Sequence, residues 1–390
     1  MSLQESIEKI MDLPAYGLTH GEKEDLYAEL LTSCTLHHGR KSPAYARYLQ
    51  AVGFMEVQDR IAGAEAAKTD DPHCMEQYVP EEEIPFLPVS VFKEMDLRSI
   101  PQEDVFKVIT SSGTSGQRPS RIYLDAQTSA AQQKVLARIV AEEIGEKRIP
   151  CLMLDTKAVL RDREHFSARG AGILGFSMFS SRVCYALDEN MQLNLDEVLN
   201  FIEIQRRKSL EKKQEPKFLL YGFTFIIWQY FVQALEKAGV RLDLKGSVLI
   251  HGGGWKKLEA QAVSAEEFAA RIRAVTGIEI VRSYYGMAEQ TGCICMECAC
   301  GSLHTSVWSD IIVRRETDYS VCAVGEPGVL QVLTPIAMSY PGHSLLTEDR
   351  GVLLGEDDCP CGRKGKYFKV LGRLPRAEVR GCSDTFEEKH

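Results

Sequence analysis

The chain has 390 residues, 44% of them hydrophobic and 26% charged, with a formal net charge of −9. That is enough chain for one large α/β domain or two ordinary ones, with the composition of a globular protein. Without a long basic run it argues against a nucleic-acid partner.

Residues 1–67 place apolar side chains at helical spacing, as at Ile7, Ile10 and Met11 and again at Leu26, Leu30 and Leu31. Residues 69–104 are punctuated by Pro80, Pro85, Pro88 and Pro101, which predicts an extended arm. From Val105 to Leu124 an apolar strand, a Gly/Ser/Thr turn and a second strand follow one another. The pattern then predicts a helix over 126–145, a buried strand over 149–155, and a helix over 195–209. Strands at 217–221, 246–250 and 278–284 alternate with helices at 225–238 and 256–275. Residues 305–355 alternate short apolar runs with turns, a β-rich section.

The alternation predicts an α/β fold with a largely parallel sheet. Three regions are expected: a helical region and arm over 1–104, a core over 105–372, and a short tail over 373–390. The most apolar stretch, Phe218 to Leu235, is interrupted by Gly222, Thr224, Gln229 and Gln233. It reads as a core strand running into a buried helix, so no membrane span is expected. Residues 1–20 contain no apolar signal core, and a cytoplasmic location is expected.

Six of the twelve cysteines cluster, at Cys293, Cys295, Cys298, Cys300, Cys359 and Cys361. In a reducing compartment such spacing points to metal before disulfide. Two sets of soft ligands on glycine-containing turns suit tetrahedral Zn²⁺, with Cys298, His304, Cys359 and Cys361 as ligands. Cys300 is the alternative to His304, and six unligated thiols are the alternative to a metal site.

Thr110 to Gly116 (TSSGTSG) sets five hydroxyls and two glycines between two apolar runs. Such a turn presents backbone N–H and hydroxyl donors to phosphate, although a polar hairpin has the same composition. It lacks the Gly-Lys-Ser/Thr ending of a P-loop. Downstream come His251-Gly252-Gly253-Gly254, then Tyr284-Tyr285-Gly286-Met287-Ala288-Glu289, Thr347-Glu348-Asp349 and Gly372-Arg373, each near a predicted strand.

This ordered series resembles the adenylate-forming superfamily of acyl-CoA synthetases, adenylation domains and luciferases. Within it the chain is most similar to the acyl-protein synthetases, the fatty-acid-activating subunits of bacterial bioluminescence reductase complexes and their non-luminous relatives. The phenylacetate–CoA ligase branch comes next. The resemblance is carried by residues 111–125, 251–257, 284–304 and 346–384. It implies the large N-terminal domain of an adenylate-forming enzyme, with mixed and parallel sheets flanked by helices and a small β-rich section.

The resemblance also implies roles. Ser111, Ser112, Gly113, Thr114, Ser115 and Gly116 would hold the β- and γ-phosphates of ATP, with Arg118 or Arg121 supplying a basic group. Gly252, Gly253, Gly254, Tyr285 and Gly286 would form the adenine and carboxylate floor, where bulk would block the ligand. Glu289 matches a magnesium-associated carboxylate, Asp349 a ribose-binding acid, and Arg373 a ribose or phosphate contact. Read singly, Asp349 and Arg373 could equally form a surface salt bridge. His251 is either a hydrogen-bonded core residue or a flank of the acyl carboxylate; Trp255 is packing. The acid pocket is expected near Phe223, Phe225 and Trp228.

Most of the usual small C-terminal domain is expected to be missing, since His390 lies 17 residues beyond Arg373. The acyl-protein synthetases carry the acyl group on a thiol near the C-terminus, and Cys382 is the matching candidate. Arg376 and Arg380 would favour its thiolate. The expected activity is ATP-dependent conversion of a carboxylic acid to acyl-AMP and transfer to a protein thiol, then to a partner such as a reductase or carrier. An acyl- or aryl-CoA ligase and a non-catalytic nucleotide-binding subunit are the competing readings.

Overall fold

A computed structural model describes residues 3–54, 78–111, 119–161, 168–255 and 262–374. In chain order the strands are β1 (Leu87–Pro88), β2 (Lys107–Thr110), β3 (Arg121–Leu124), β4 (Ile149–Thr156), β5 (Ser180–Leu187), β6 (Leu219–Phe223) and β7 (Val248–Gly252). They continue with β8 (Ile280–Tyr285), β9 (Cys295–Glu297), β10 (Leu303–His304), β11 (Asp310–Arg314), β12 (Pro327–Leu333), β13 (Ser344–Glu356) and β14 (Lys366–Arg373). The chain divides into two units. The first comprises Met1–Ile109, Arg118–Leu136 and Gly286–Glu378; the second comprises Thr110–Gln117, Ala137–Tyr285 and Val379–His390.

In the first unit, β11-β12-β13-β14-β10-β9 form a wholly antiparallel series, with β1 adding to β13 in parallel. The predicted arm is therefore pinned by its Leu87–Pro88 segment. The N-terminal helices are Leu3–Ile10, His20–Lys41 and Pro43–Ala51. Thr19 and Glu22 form a reciprocal capping box at the start of the second, and Pro43 opens the third at a position that needs no N–H. Trp308 is fully buried and donates its indole N–H to the Ile10 carbonyl at 2.8 Å.

A charge cluster that hydrophobic patterning did not predict lies inside this unit. Lys23, Glu81, Asp310 and Lys366 are each at most 5% exposed. Lys23 Nζ lies 2.9 Å from Asp310, and Lys366 pairs with Glu81 and, at 3.6 Å, with Asp310. Two cations facing two acids make burial tolerable, because each charge keeps a partner. Burial and the neighbouring Asp310 push the Glu81 carboxyl up.

A second buried polar group is histidine-based. The His38 and His343 rings stack at 5.0 Å; His38 Nδ1 meets Ser99 Oγ at 2.7 Å and His343 Nε2 meets Thr35 Oγ1 at 2.9 Å. Burial pushes His343 down to about 3 and holds His38 well below the usual imidazole range. A depressed folded-state pKa means the fold prefers the neutral ring. The associated stability is complete above the unfolded value near 6.5 and is lost as pH falls from there towards 3. Unfolding free energy is therefore expected to fall by up to about 1.4 kcal/mol per pH unit per histidine below pH 6. Urea unfolding from pH 7 to pH 4 measures this, and His343→Gln should flatten the slope.

The second unit is a parallel sheet in the order β8-β7-β6-β4-β5. Its helices include Ala168–Ser177, Leu195–Glu211 and Ala265–Thr276. Strand β6 runs into a helical run of Thr224–Ile226, Ile227–Val232 and Gln233–Ala238, whose middle segment is π-helical. Trp228, Phe231, Val232 and Leu235 from this run are buried in a hydrophobic core cluster. Gly222 sits in a tight place, where a Cβ would lie 3.0 Å from the Leu154 side chain and 3.2 Å from its carbonyl.

Sequence patterning located β4, β6, β7, β8 and the helices between them, but not helix Ala168–Ser177 or β5. β5 is the edge strand with one partner, so much of it stays solvated and its apolar run is short. The helix expected from 256 begins at Ala265 among the described residues, because Ser264 caps it by accepting from Glu267 N–H.

Candidate functional site

The best-defined constellation belongs to the first unit. β9 and β10 are joined by the turn at Cys298–Gly301, and β13 and β14 by the turn containing Cys359–Gly362. In each, the glycine N–H donates to the first cysteine's carbonyl at 3.0 Å, with the glycine in left-handed conformation at φ 74° and 84°. β10 pairs with both β9 and β14, which brings His304 between the turns.

The ligand atoms of Cys298, His304, Cys359 and Cys361 all lie within 4.8 Å of one another. Cys298 Sγ is 3.9 Å from Cys359 Sγ, and Cys361 Sγ is 3.4 Å from His304 Nε2. Backbone N–H groups of Cys300 and Arg363 point at Cys298 Sγ and Cys361 Sγ, as suits thiolates. Three sulfurs and an imidazole nitrogen are a donor set for a tetrahedral soft-metal site. His304, not Cys300, completes the quartet; Cys300 is exposed. Cys293 and Cys295 are buried elsewhere, their thiols pushed up to about 12 by burial.

The turn between β13 and β14 also holds an N-terminal hook. The Arg363 guanidinium sits 4.3 Å from the Tyr16 ring centre, Lys364 N–H donates to the Tyr16 carbonyl at 3.4 Å, and His20 N–H donates to Asp357 at 2.9 Å. Neither the hook nor the charge cluster has a sequence signature, since their partners are far apart in the chain.

Asp349 and Arg373 meet because β13 and β14 pair in a register that sets them opposite one another. Arg373 Nε lies 3.4 Å from Asp349 Oδ1, with the side chains 35% and 18% exposed. Thr347 Oγ1 anchors the bend by donating to the Leu330 carbonyl at 2.7 Å and accepting from Asp349 N–H at 3.1 Å. An accessible carboxylate beside a guanidinium can accept from a diol and donate to an anion.

Glu289 lies in the one-turn helix Ala288–Gln290 and is 6% exposed. Tyr340 donates to its carbonyl at 2.7 Å, while the Gln290 amide donates to Val332 and Gly342 carbonyls at 3.1 and 2.9 Å. Gly286 packs against Ile294, and Gly292, at φ 88°, leaves no room for a Cβ beside the Gln132 carbonyl. The turn carrying Glu289 is thus fixed on both sides.

In the second unit, Gly252 ends β7 and Tyr285 ends β8. A Cβ on Gly252 would lie 2.4 Å from the Tyr284 ring, so this glycine makes room for Tyr284. Gly253 needs its left-handed φ of 74°, and Gly254 has nothing within 4 Å of a Cβ. Tyr284 OH meets Tyr221 OH at 2.9 Å, and Phe176 stacks on Tyr221 at 3.8 Å.

His251 is hydrogen-bonded and half-buried. Its Nδ1 lies 2.9 Å from Thr224 Oγ1, its ring packs 4.7 Å from Phe268, and burial pushes it down to about 4. Trp255 packs on Trp228 and Phe268, and Trp228 belongs to a buried hydrophobic cluster. Arg121 pairs with Asp96 at 2.7 Å. Ser111 follows β2, while Ser112, Gly113, Thr114, Ser115, Gly116, Arg118 and Cys382 lie outside the described residues.

A parallel sheet flanked by helices, followed in the chain by an antiparallel section, is the fold of adenylate-forming ligases. The chain is similar to 2-hydroxyisobutyryl-CoA ligase in the postadenylation state with 2-HIB-AMP (TM-score 0.62, 14% identity, 92% of this chain and 69% of that one). It matches the open conformation of that ligase, with 2-HIB-AMP and CoA, at TM-score 0.61 and 14% identity, over 91% of this chain and 71% of that one. The family model for acyl-protein synthetase, LuxE, matches residues 2–390, and the chain belongs to that family.

The long-chain-fatty-acid–luciferin-component ligase of Aliivibrio fischeri is 22% identical over 326 residues, 80% of this chain and 81% of that protein. The Vibrio harveyi protein of the same name is 20% identical over 369 residues, 93% of this chain and 87% of that protein. The protein is an ATP-dependent acid ligase of the acyl-protein synthetase type. No helix among the described residues is long and apolar enough to cross a membrane.

Proposed function

We propose that the protein converts a long-chain fatty acid to its acyl-AMP and passes the acyl group to a thiol, first Cys382 and then an acyl-accepting partner such as a reductase or carrier. The observation that carries this reading is the Asp349–Arg373 pair, set opposite one another on β13 and β14 in a chain of this family. Asp349 would accept from the ribose hydroxyls, and Arg373 would bind ribose or phosphate. Residues 111–116 would hold the β- and γ-phosphates, Gly252–Gly254, Tyr285 and Gly286 the adenine and carboxylate, and Glu289 would act with Mg²⁺. Cys298, His304, Cys359 and Cys361 would hold a structural Zn²⁺ that fastens the two turns.

The chemistry balances in successive displacements. The acid's carboxylate oxygen bonds to the α-phosphorus and pyrophosphate leaves; the Cys382 thiolate sulfur then bonds to the acyl carbon and AMP leaves, and a nucleophile of the partner takes the acyl carbon in turn as the Cys382 thiolate leaves. ATP–pyrophosphate exchange across short, long and aromatic acids tests the first step, and mass spectrometry of the protein tests the second. Acid-dependent exchange with an adduct on Cys382 is expected, and Cys382→Ser should lower the adduct at least about 100-fold. Exchange without an adduct would make CoA or a partner the acceptor. Binding of ATP without exchange would indicate a nucleotide-binding subunit.

A further inference from the structure

The second unit's parallel sheet opens the carboxyl ends of β8, β7, β6, β4 and β5 on one edge. From β4 the chain goes to β5 on one side and then returns to β6 on the other, a topological switch of the kind beside which open α/β sheets receive ligands. At the carboxyl ends of β4 and β5 lies a cavity of about 820 Å³ that none of the roles above employs.

Its lining is sorted by polarity. The buried and half-buried walls are Thr156, Ala158, Leu160, Tyr185 and Leu187, with Leu174 added from helix Ala168–Ser177. Thr156 Oγ1 is already occupied by Ala158 N–H at 3.2 Å. The charged groups Lys157, Arg161, Asp188, Glu189 and Glu197 and the amide of Asn194 are all exposed, and an Arg161–Glu189 ion pair links the loops that follow β4 and β5. An apolar interior behind a charged mouth suits an alkyl chain better than an anion or a peptide.

Distance fits the same occupant. The Gly252–Gly254 turn ends β7, and β6 separates β7 from β4. At about 4.8 Å between neighbouring strands, β4 lies about 10 Å and β5 about 14 Å from β7 along the edge. Roughly eight to eleven carbon–carbon bonds of about 1.5 Å, at tetrahedral angles, span that interval.

We propose that this cavity receives the methyl end of a long acyl chain whose carboxylate is activated at the Gly252–Gly254 turn, and that it sets the chain-length selectivity. The inference rests on the reading that the acid's carboxylate lies at that turn. Each methylene buried should raise the specificity constant for exchange about four-fold until the cavity is filled.

The test is acid-dependent ATP–pyrophosphate exchange with octanoate, dodecanoate and tetradecanoate. Leu174→Trp and Leu160→Trp fill the cavity, and Leu199→Trp, on an exposed residue outside it, is the control. Leu174 is 40% exposed, so a larger side chain there does not have to fit a packed core. The tetradecanoate-to-octanoate ratio of specificity constants is expected to fall at least tenfold in both lining variants and to stay unaltered in the control. Robust exchange with ratios within two-fold of the unsubstituted protein in both lining variants would overturn the cavity assignment. No exchange with any acid in the unsubstituted protein would overturn the acid-activation reading beneath it.

Discussion

Asp349→Ala is expected to cut acid-dependent ATP–pyrophosphate exchange by at least about 100-fold while barely moving the unfolding midpoint. The activity loss follows from removing charge-assisted hydrogen bonds, each worth about 1.5–3 kcal/mol where the partner is held in a site. The small stability effect follows from the Arg373–Asp349 geometry: a 3.4 Å contact between partly exposed groups contributes about 1 kcal/mol at most. Exchange within a few-fold of the unsubstituted protein would reduce the pair to a surface salt bridge. Asp349→Asn should be less damaging, because its amide oxygen keeps one acceptor in place.

Protein purified without added metal is expected to carry about one zinc per chain, and Cys359→Ala to lose it. The quartet joins two turns, and the one between β13 and β14 also holds residues 15–20 through Tyr16 and His20. Metal binding free energy in such sites is folding free energy, so its loss should lower the unfolding midpoint by about 5–10 °C. Amide exchange at residues 15–20 and 359–365 should rise first, a signature that a uniform loss of stability would not give. Cys300→Ala should leave zinc content unaltered, since Cys300 is exposed and outside the quartet. A zinc content near zero in the unsubstituted protein would remove the metal site.

Local sequence determined a good deal of this molecule. The period of apolar residues located β4, β6, β7 and β8 and the helices from Leu195 onward, and turn chemistry marked the glycine turn after β7 and the two Cys-x-Cys-Gly turns. Those signals are short-ranged, because side-chain period and glycine conformation are properties of a few consecutive residues. Tertiary structure alone decided which distant residues meet. The β13–β14 register sets Asp349 against Arg373, and β10, lying between β9 and β14, admits His304 and leaves Cys300 outside. It also made Gly252 a seat for the Tyr284 ring, paired four buried charges, and opened a cavity at an edge strand too solvated to be recognised from its residues. Register, burial and cavity shape depend on every layer that packs together, and a linear pattern carries only one layer at a time.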